Sequence, residues 1–178
     1  MNELGPQPVP ENHPIRPLFR TLTERGLGQI NIRDEESLGY VSGLLLDFMR
    51  TDNLYPVRDE HGRRIEYLAD LMGRADDSAD LFERADHYKY LGDLTLFMLG
   101  LFPERFDRNR RSVSAEYYAQ QGRRSYGIVA DLAWLDDDPG PFRRLADGFD
   151  QYVRGLNWVK LYIQDPFFQY MFREFSIS

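Results

Sequence analysis

DHYKYLGDLTLFMLGLFPERF, residues 86 to 106, opens with charge and a histidine and then runs from Leu94 to Phe102 without a single charge. A membrane span, a metal-bearing helix and a helix through the middle of a core would each read this way. The membrane is excluded by length. A spanning helix needs about 20 apolar residues, and Asp93 and Glu104 close this window on either side. At 100° per residue, Leu81, Ala85, Tyr88, Leu91, Gly92, Thr95 and Leu99 fall on one side of the helix, with Asp86, Tyr90 and Asp93 nearly opposite and His87 at the edge. Beyond Asp93 every face is uncharged. The spacing therefore predicts a helix whose first half has a wet face and whose second half is surrounded by protein, with Leu96, Phe97, Met98 and Phe102 covering other helices or a partner. Gly92 and Gly100 would let neighbouring helices approach closely.

The pattern extends outward along the chain. Residues 1–14, with four prolines, read as an extended or disordered arm, and 15–178 as a single helical domain. Pro17 suits a first helical turn, with Leu18, Phe19 and Leu22 on one face and Gly26 as a stop. Asp34 caps a second helix, with apolar positions at Leu38, Val41, Leu45 and Phe48. Residues 56–65 suggest a small hairpin, followed by a short helix to Gly73. Asp77 or Ser78 would cap the helix carrying the opening stretch, and another helix runs from about Ser114 to Leu132. Past the Asp136–Asp138 turn, Phe142, Leu145, Phe149, Tyr152, Leu156, Val159 and Ile163 keep three-four spacing and predict one long helix. Asp165 and Pro166 start a last, aromatic helix, on which Phe167, Phe168, Met171, Phe172 and Phe175 share roughly 140° of arc. The expected fold is all-α, a compact bundle of six or seven helices.

Composition narrows function. The 178 residues are 42% hydrophobic, 14% aromatic and 29% charged, the balance of a globular domain. The absence of cysteine removes thiolate chemistry, disulfides and zinc–thiolate sites from the chain's own residues. A net charge of −7 disfavours nucleic acid as partner. The acidic, proline-rich start lacks a signal-peptide pattern, so the cytoplasm is the expected compartment. No G-x-S-x-G elbow, P-loop or dinucleotide fingerprint is present.

Three constellations remain. Glu83 and His87, at i and i+4, share a helix face and could ligate one or two divalent metal ions with carboxylates from other helices, such as Glu36, Asp47 and Glu116. The second Glu–His pair of a di-metal bundle is missing, and a histidine bonded to a carboxylate is the plainer account. Arg105, Arg108, Arg110, Arg111, Arg123 and Arg124 stand against Glu104, Asp107 and Glu116, a local balance of +3 that could grip an anion or an acidic protein, or pair with the acidic residues of 76–93. The aromatic C-terminal helix must dock on its own bundle or on a second subunit, and Gly148 and Gly155 flank a seam suited to close packing, across a two-fold axis among other choices. The reading thus favours a non-catalytic interaction or assembly protein, expected as a homodimer. The alternatives are a metal-dependent helical enzyme, and a carrier of an apolar small molecule between Phe97, Met98 and Trp158.

Overall fold

The computed structural model describes residues 10–49, 64–107, 114–135, 139–166, 169, 170 and 173, with the backbone alone at 49, 64–67, 107 and 135. Among them are eight α-helices and no strand: α1 (Ile15–Gly28), α2 (Glu35–Met49), α3 (Arg64–Asp77), α4 (Leu81–Leu101), α5 (Glu104–Asp107), α6 (Ala115–Asp131), α7 (Phe142–Asp147) and α8 (Phe149–Ile163). The all-α expectation holds. The count exceeds six or seven because α5 is a single extra turn and the predicted long helix is two.

The opening stretch is α4, and it is the axis of the fold. Every residue from Leu91 to Leu101 is buried, and α2, α3, α6 and α8 all pack against it. Glycine sets the closest approaches. A Cβ on Gly92 would stand 2.7 Å from the Tyr126 ring of α6, and one on Gly100 would collide with Leu156 of α8 at 2.5 Å. Each glycine thus admits a different helix. Asn157 fixes the second crossing, its amide donating to the Leu99 carbonyl at 3.2 Å and the Gly100 carbonyl at 2.7 Å.

Helix ends follow local chemistry. Asp34 caps α2 through the Ser37 amide at 2.9 Å, as expected, and Ser114, where the next long helix was expected to begin, caps α6 through the Tyr117 amide at 3.2 Å. The cap of α4 is Asp80, accepting from the Phe82 amide at 2.8 Å, rather than Asp77 or Ser78. Gly26 does not end α1. It lies in the crossing with α8, where a Cβ would meet Val159 and the Gly155 carbonyl. The helix instead closes at Asn31, whose φ of 63° is tolerable for asparagine, with Asn31 N–H on Gly28 O and Ile32 N–H on Leu27 O. Gly155 therefore packs α8 onto α1 within the subunit, so its small size is already used there.

Two further expectations change. α3 runs through Gly73 to Asp77, because its apolar stripe of Leu68, Leu71 and Ala75 continues past the glycine, and Arg64 and Ile65 are helical. The rest of the hairpin proposed at 56–65 lies outside the described residues, as do residues 1–9 of the arm and Asp136–Asp138. Residues 10–14 turn onto α1, with the His13 amide on the Pro10 carbonyl at 3.0 Å and the Ile15 amide on His13 Nδ1 at 3.2 Å. The predicted long helix breaks at Gly148, which adopts φ −103° and ψ 17° between α7 and α8. The apolar spacing carries on across the break: Leu145, Phe149, Tyr152, Leu156 and Val159 are all buried.

Candidate functional site

The first half of α4 is not simply a wet face. Glu83, His87 and Tyr90, together with Asp86 and Asp93, recur every three or four residues and form one wall of a cleft of about 1100 Å³. α2 forms the facing wall through Tyr40, Asp47 and Phe48, and the end of α3 with the turn after it closes one end through Arg74, Asp77 and Ser78. Among the described residues, five carboxylates (Asp47, Asp77, Glu83, Asp86, Asp93) face two basic side chains (Arg74, Lys89), a lining acidic by three charges when all are ionised. Polar atoms dominate it, unlike an apolar carrier pocket.

Asp93 anchors this site. It is only 7% exposed, although the helical wheel sets it opposite the core face. Two phenols from different helices account for this. Tyr40 of α2 and Tyr126 of α6 both donate to Asp93 Oδ1, at 2.6 and 2.8 Å. Lys89 Nζ approaches Oδ2 at 3.4 Å and lies 5.4 Å from the centre of the Tyr40 ring. Burial raises the Asp93 pKa above the ordinary carboxylate value, and the Lys89 charge and the two phenols pull it part of the way back. The phenols are pushed well above their usual value, chiefly by burial and then by the Asp93 charge. The same carboxylate thus ties α2, α4 and α6 together beneath the cleft.

His87 is the unresolved partner in this wall. It is 7% exposed, its Nδ1 lies 3.5 Å from Ser78 Oγ, and its Nε2 is buried with no hydrogen-bond partner among the described residues. A buried polar nitrogen left unpaired costs about 1–3 kcal/mol. Among the described residues it makes no bond to a carboxylate, the plainer role expected for it. Glu83 lines the cleft beside it, but among the described residues no group of three His, Asp or Glu side chains converges as a metal site would need.

No family model matches the chain, and neither does any curated protein or solved structure.

The other predicted residues fall apart from the cleft. Of the arginine patch, Arg123 is forked onto Asp150 at 2.7 and 2.8 Å and also reaches Glu116 at 2.8 Å. Arg124 stands 3.9 Å from Asp76 of α3, which realises the pairing with the 76–93 region. Arg105 lies over the Phe102 ring at 4.9 Å. These three are engaged within the subunit and do not converge on one anion site. Arg108, Arg110 and Arg111 lie outside the described residues, as do the side chains of Phe167, Phe168, Met171, Phe172 and Phe175. Phe97 and Met98 are sealed in the core, where Phe97 stacks on Phe48 at 5.1 Å. Trp158 sits instead on the outside of α8, so the three do not share a pocket.

The outer face of α8 is the second notable surface. Trp158 is 42% exposed and Leu161, one turn on, 55%. Trp158 stacks on Tyr162 with ring centres 6.4 Å apart, while Leu156 and Val159 turn inward. The Asp93 anchor and the α2–α4 cleft are the features that sequence reading missed. Their parts come from helices far apart in the chain, and only the Glu83–His87 spacing hinted at them.

Proposed function

We propose that this protein acts by association rather than catalysis, as a helical interaction and assembly protein that pairs as a homodimer. The exposed Trp158–Leu161 strip on α8 carries the reading. Large apolar side chains that stay outside a core large enough to take them suit an interface, whose centre is depleted of charge and rich in aromatics. Fully burying such a side chain is worth about 1.5–3 kcal/mol, and a two-fold contact counts each residue twice. The aromatic run Phe167, Phe168, Met171, Phe172 and Phe175, which follows α8 directly in sequence, is a second candidate for the contact. Arg108, Arg110 and Arg111 are the remaining candidates for contact with an acidic protein or an anion, since Arg105, Arg123 and Arg124 have internal contacts. Nucleic acid has no part in the proposal. The cytoplasm is the proposed setting, and among the described residues no helix is long and apolar enough to cross a membrane.

The test is sedimentation equilibrium of the full chain against the double variant Trp158→Ser, Leu161→Ser, both sites exposed enough to leave the core intact. Dimer affinity weakened at least tenfold in the variant supports the reading. A dimer of unchanged affinity, or a wild-type chain that stays monomeric at high micromolar concentration, overturns it.

A further inference from the structure

The direction of pairing rests on the association through α8 proposed above. For that interface we infer that the two copies run antiparallel, Arg154 of each gripping Asp165 of the partner subunit on either side of a Trp158 and Leu161 centre.

The outer face of α8 carries more than its two apolar residues. At 100° per residue, Arg154, Trp158, Leu161 and Asp165 fall within roughly 60° of arc, and all four are exposed. Tyr152, Leu156 and Val159 turn inward. The chain keeps its helical course to the last of the four: the Gln164 amide donates to the Lys160 carbonyl at 3.2 Å and the Asp165 amide to the Tyr162 carbonyl at 3.0 Å. The steps between the four are four, three and four residues, the alternation of a coiled-coil seam. Read in order, the seam is cation, apolar, apolar, anion.

That order is self-complementary in one direction only. In a parallel two-fold pair each residue meets its own copy, so Arg154 would face arginine and Asp165 would face aspartate. Like charges set directly opposite repel. In an antiparallel pair the residues that meet are those equidistant from the axis. Arg154 stands four residues before Trp158 and Asp165 four after Leu161. An axis midway between Trp158 and Leu161 therefore packs Trp158 on Leu161 of the partner subunit and brings Arg154 to Asp165 of the partner subunit, each contact occurring twice.

Both charges can take part. Arg154 makes no hydrogen bond or ion pair among the described residues. Asp165 has a contact within its own chain, but a carboxylate offers about four lone-pair sites and a forked arginine uses about two.

The chain has no cysteine, so single cysteines report the direction cleanly. Arg154→Cys and Asp165→Cys, made separately in the full chain, are treated with a short bismaleimide, each alone and as an equimolar mixture. In the antiparallel pair the two copies of residue 154 stand about 16 Å apart along the axis, beyond the reagent's reach. Covalent dimer in the mixture, at least tenfold above either variant alone, is expected. Arg154→Glu, at an exposed site with no partner in its own chain, should weaken the dimer at least tenfold in sedimentation equilibrium. Its equimolar mixture with Asp165→Arg re-forms both ion pairs and should recover the wild-type affinity. Covalent dimer from Arg154→Cys alone, a dimer unchanged by Arg154→Glu, or a mixture of the charge variants that stays monomeric would each overturn the inference. If the dimer is lost in Trp158→Ser, Leu161→Ser yet links residue 154 to residue 154, the antiparallel arrangement falls and association through α8 stands. A wild-type chain that is monomeric throughout sinks both.

Discussion

Replacing Asp93 by alanine separates two accounts of why a carboxylate is buried at the centre of the bundle. Tyr40 and Tyr126 both point their hydroxyls at Asp93 Oδ1, and Tyr126 is fully buried. Alanine strands both donors. Each buried donor without a partner costs about 1–3 kcal/mol. Tyr40 is half-buried and borders the cleft, so water can serve it in part, and the removed charge no longer needs desolvation. Together these terms predict a loss of about 2–4 kcal/mol for Asp93→Ala. Asparagine behaves differently. Its Oδ1 can accept from both phenols as before, and it removes the buried charge at the expense of placing an amide near Lys89, 3.4 Å from the present Oδ2. Asp93→Asn should therefore lie within about 1 kcal/mol of wild type. Urea unfolding followed by circular dichroism measures both, and Tyr126→Phe in each background closes a double-mutant cycle. A loss below about 1 kcal/mol for alanine, or equal losses for asparagine and alanine, would refute the view that the acceptor oxygen, rather than the charge, is what the bundle needs.

Other consequences follow from the same packing. A Cβ on Gly122 would meet the Phe149 ring and stand 2.7 Å from Thr95 Oγ1, so Gly122→Ala should destabilise by about 1–3 kcal/mol, whereas Gly127, with open space around it, should accept alanine with no loss, as thermal melts will show. Because the folded-state pKa of Asp93 is raised, its contribution to stability is fully present below the unfolded carboxylate value and is lost as pH rises through the folded one. The stability difference, wild type minus Asp93→Asn, should thus fall from about pH 4 upward and then level off; a difference that rises over that range would contradict the burial of this group. Arg123→Ala breaks the link from α6 to Asp150 of α8 but stays at the surface, so it should cost about 0.2–1 kcal/mol, less in high salt, in urea melts run at two ionic strengths.

The architecture was legible where local chemistry decides it. The charge-free run after Asp93 marked α4 as the central helix, and Asp34 and Ser114 marked their helix starts, because an apolar face and a capping oxygen act within a few residues. The stretch DDSAD offered several capping oxygens in five residues, and only the bundle's packing picks Asp80. The break at Gly148 was hidden because the apolar spacing continues through it. Asp93 was misread for a deeper reason. A helical wheel knows only its own helix, and the burial of this carboxylate comes from phenols 53 and 33 residues away. For the site, the i,i+4 pairing of Glu83 and His87 was visible, but the facing wall of α2 and the orphaned Nε2 are tertiary facts. The arginine patch looked coherent in sequence, yet Arg123 and Arg124 pair with acids on α8 and α3.

Native mass spectrometry of the untagged full chain decides whether the outer face of α8 is an interface. A species of twice the 21.0 kDa chain mass that persists on dilution into the low micromolar range is the expected result. A single-chain mass at every concentration would contradict it, and the exposed Trp158 and Leu161 would then be no more than isolated apolar residues on the surface of a monomer.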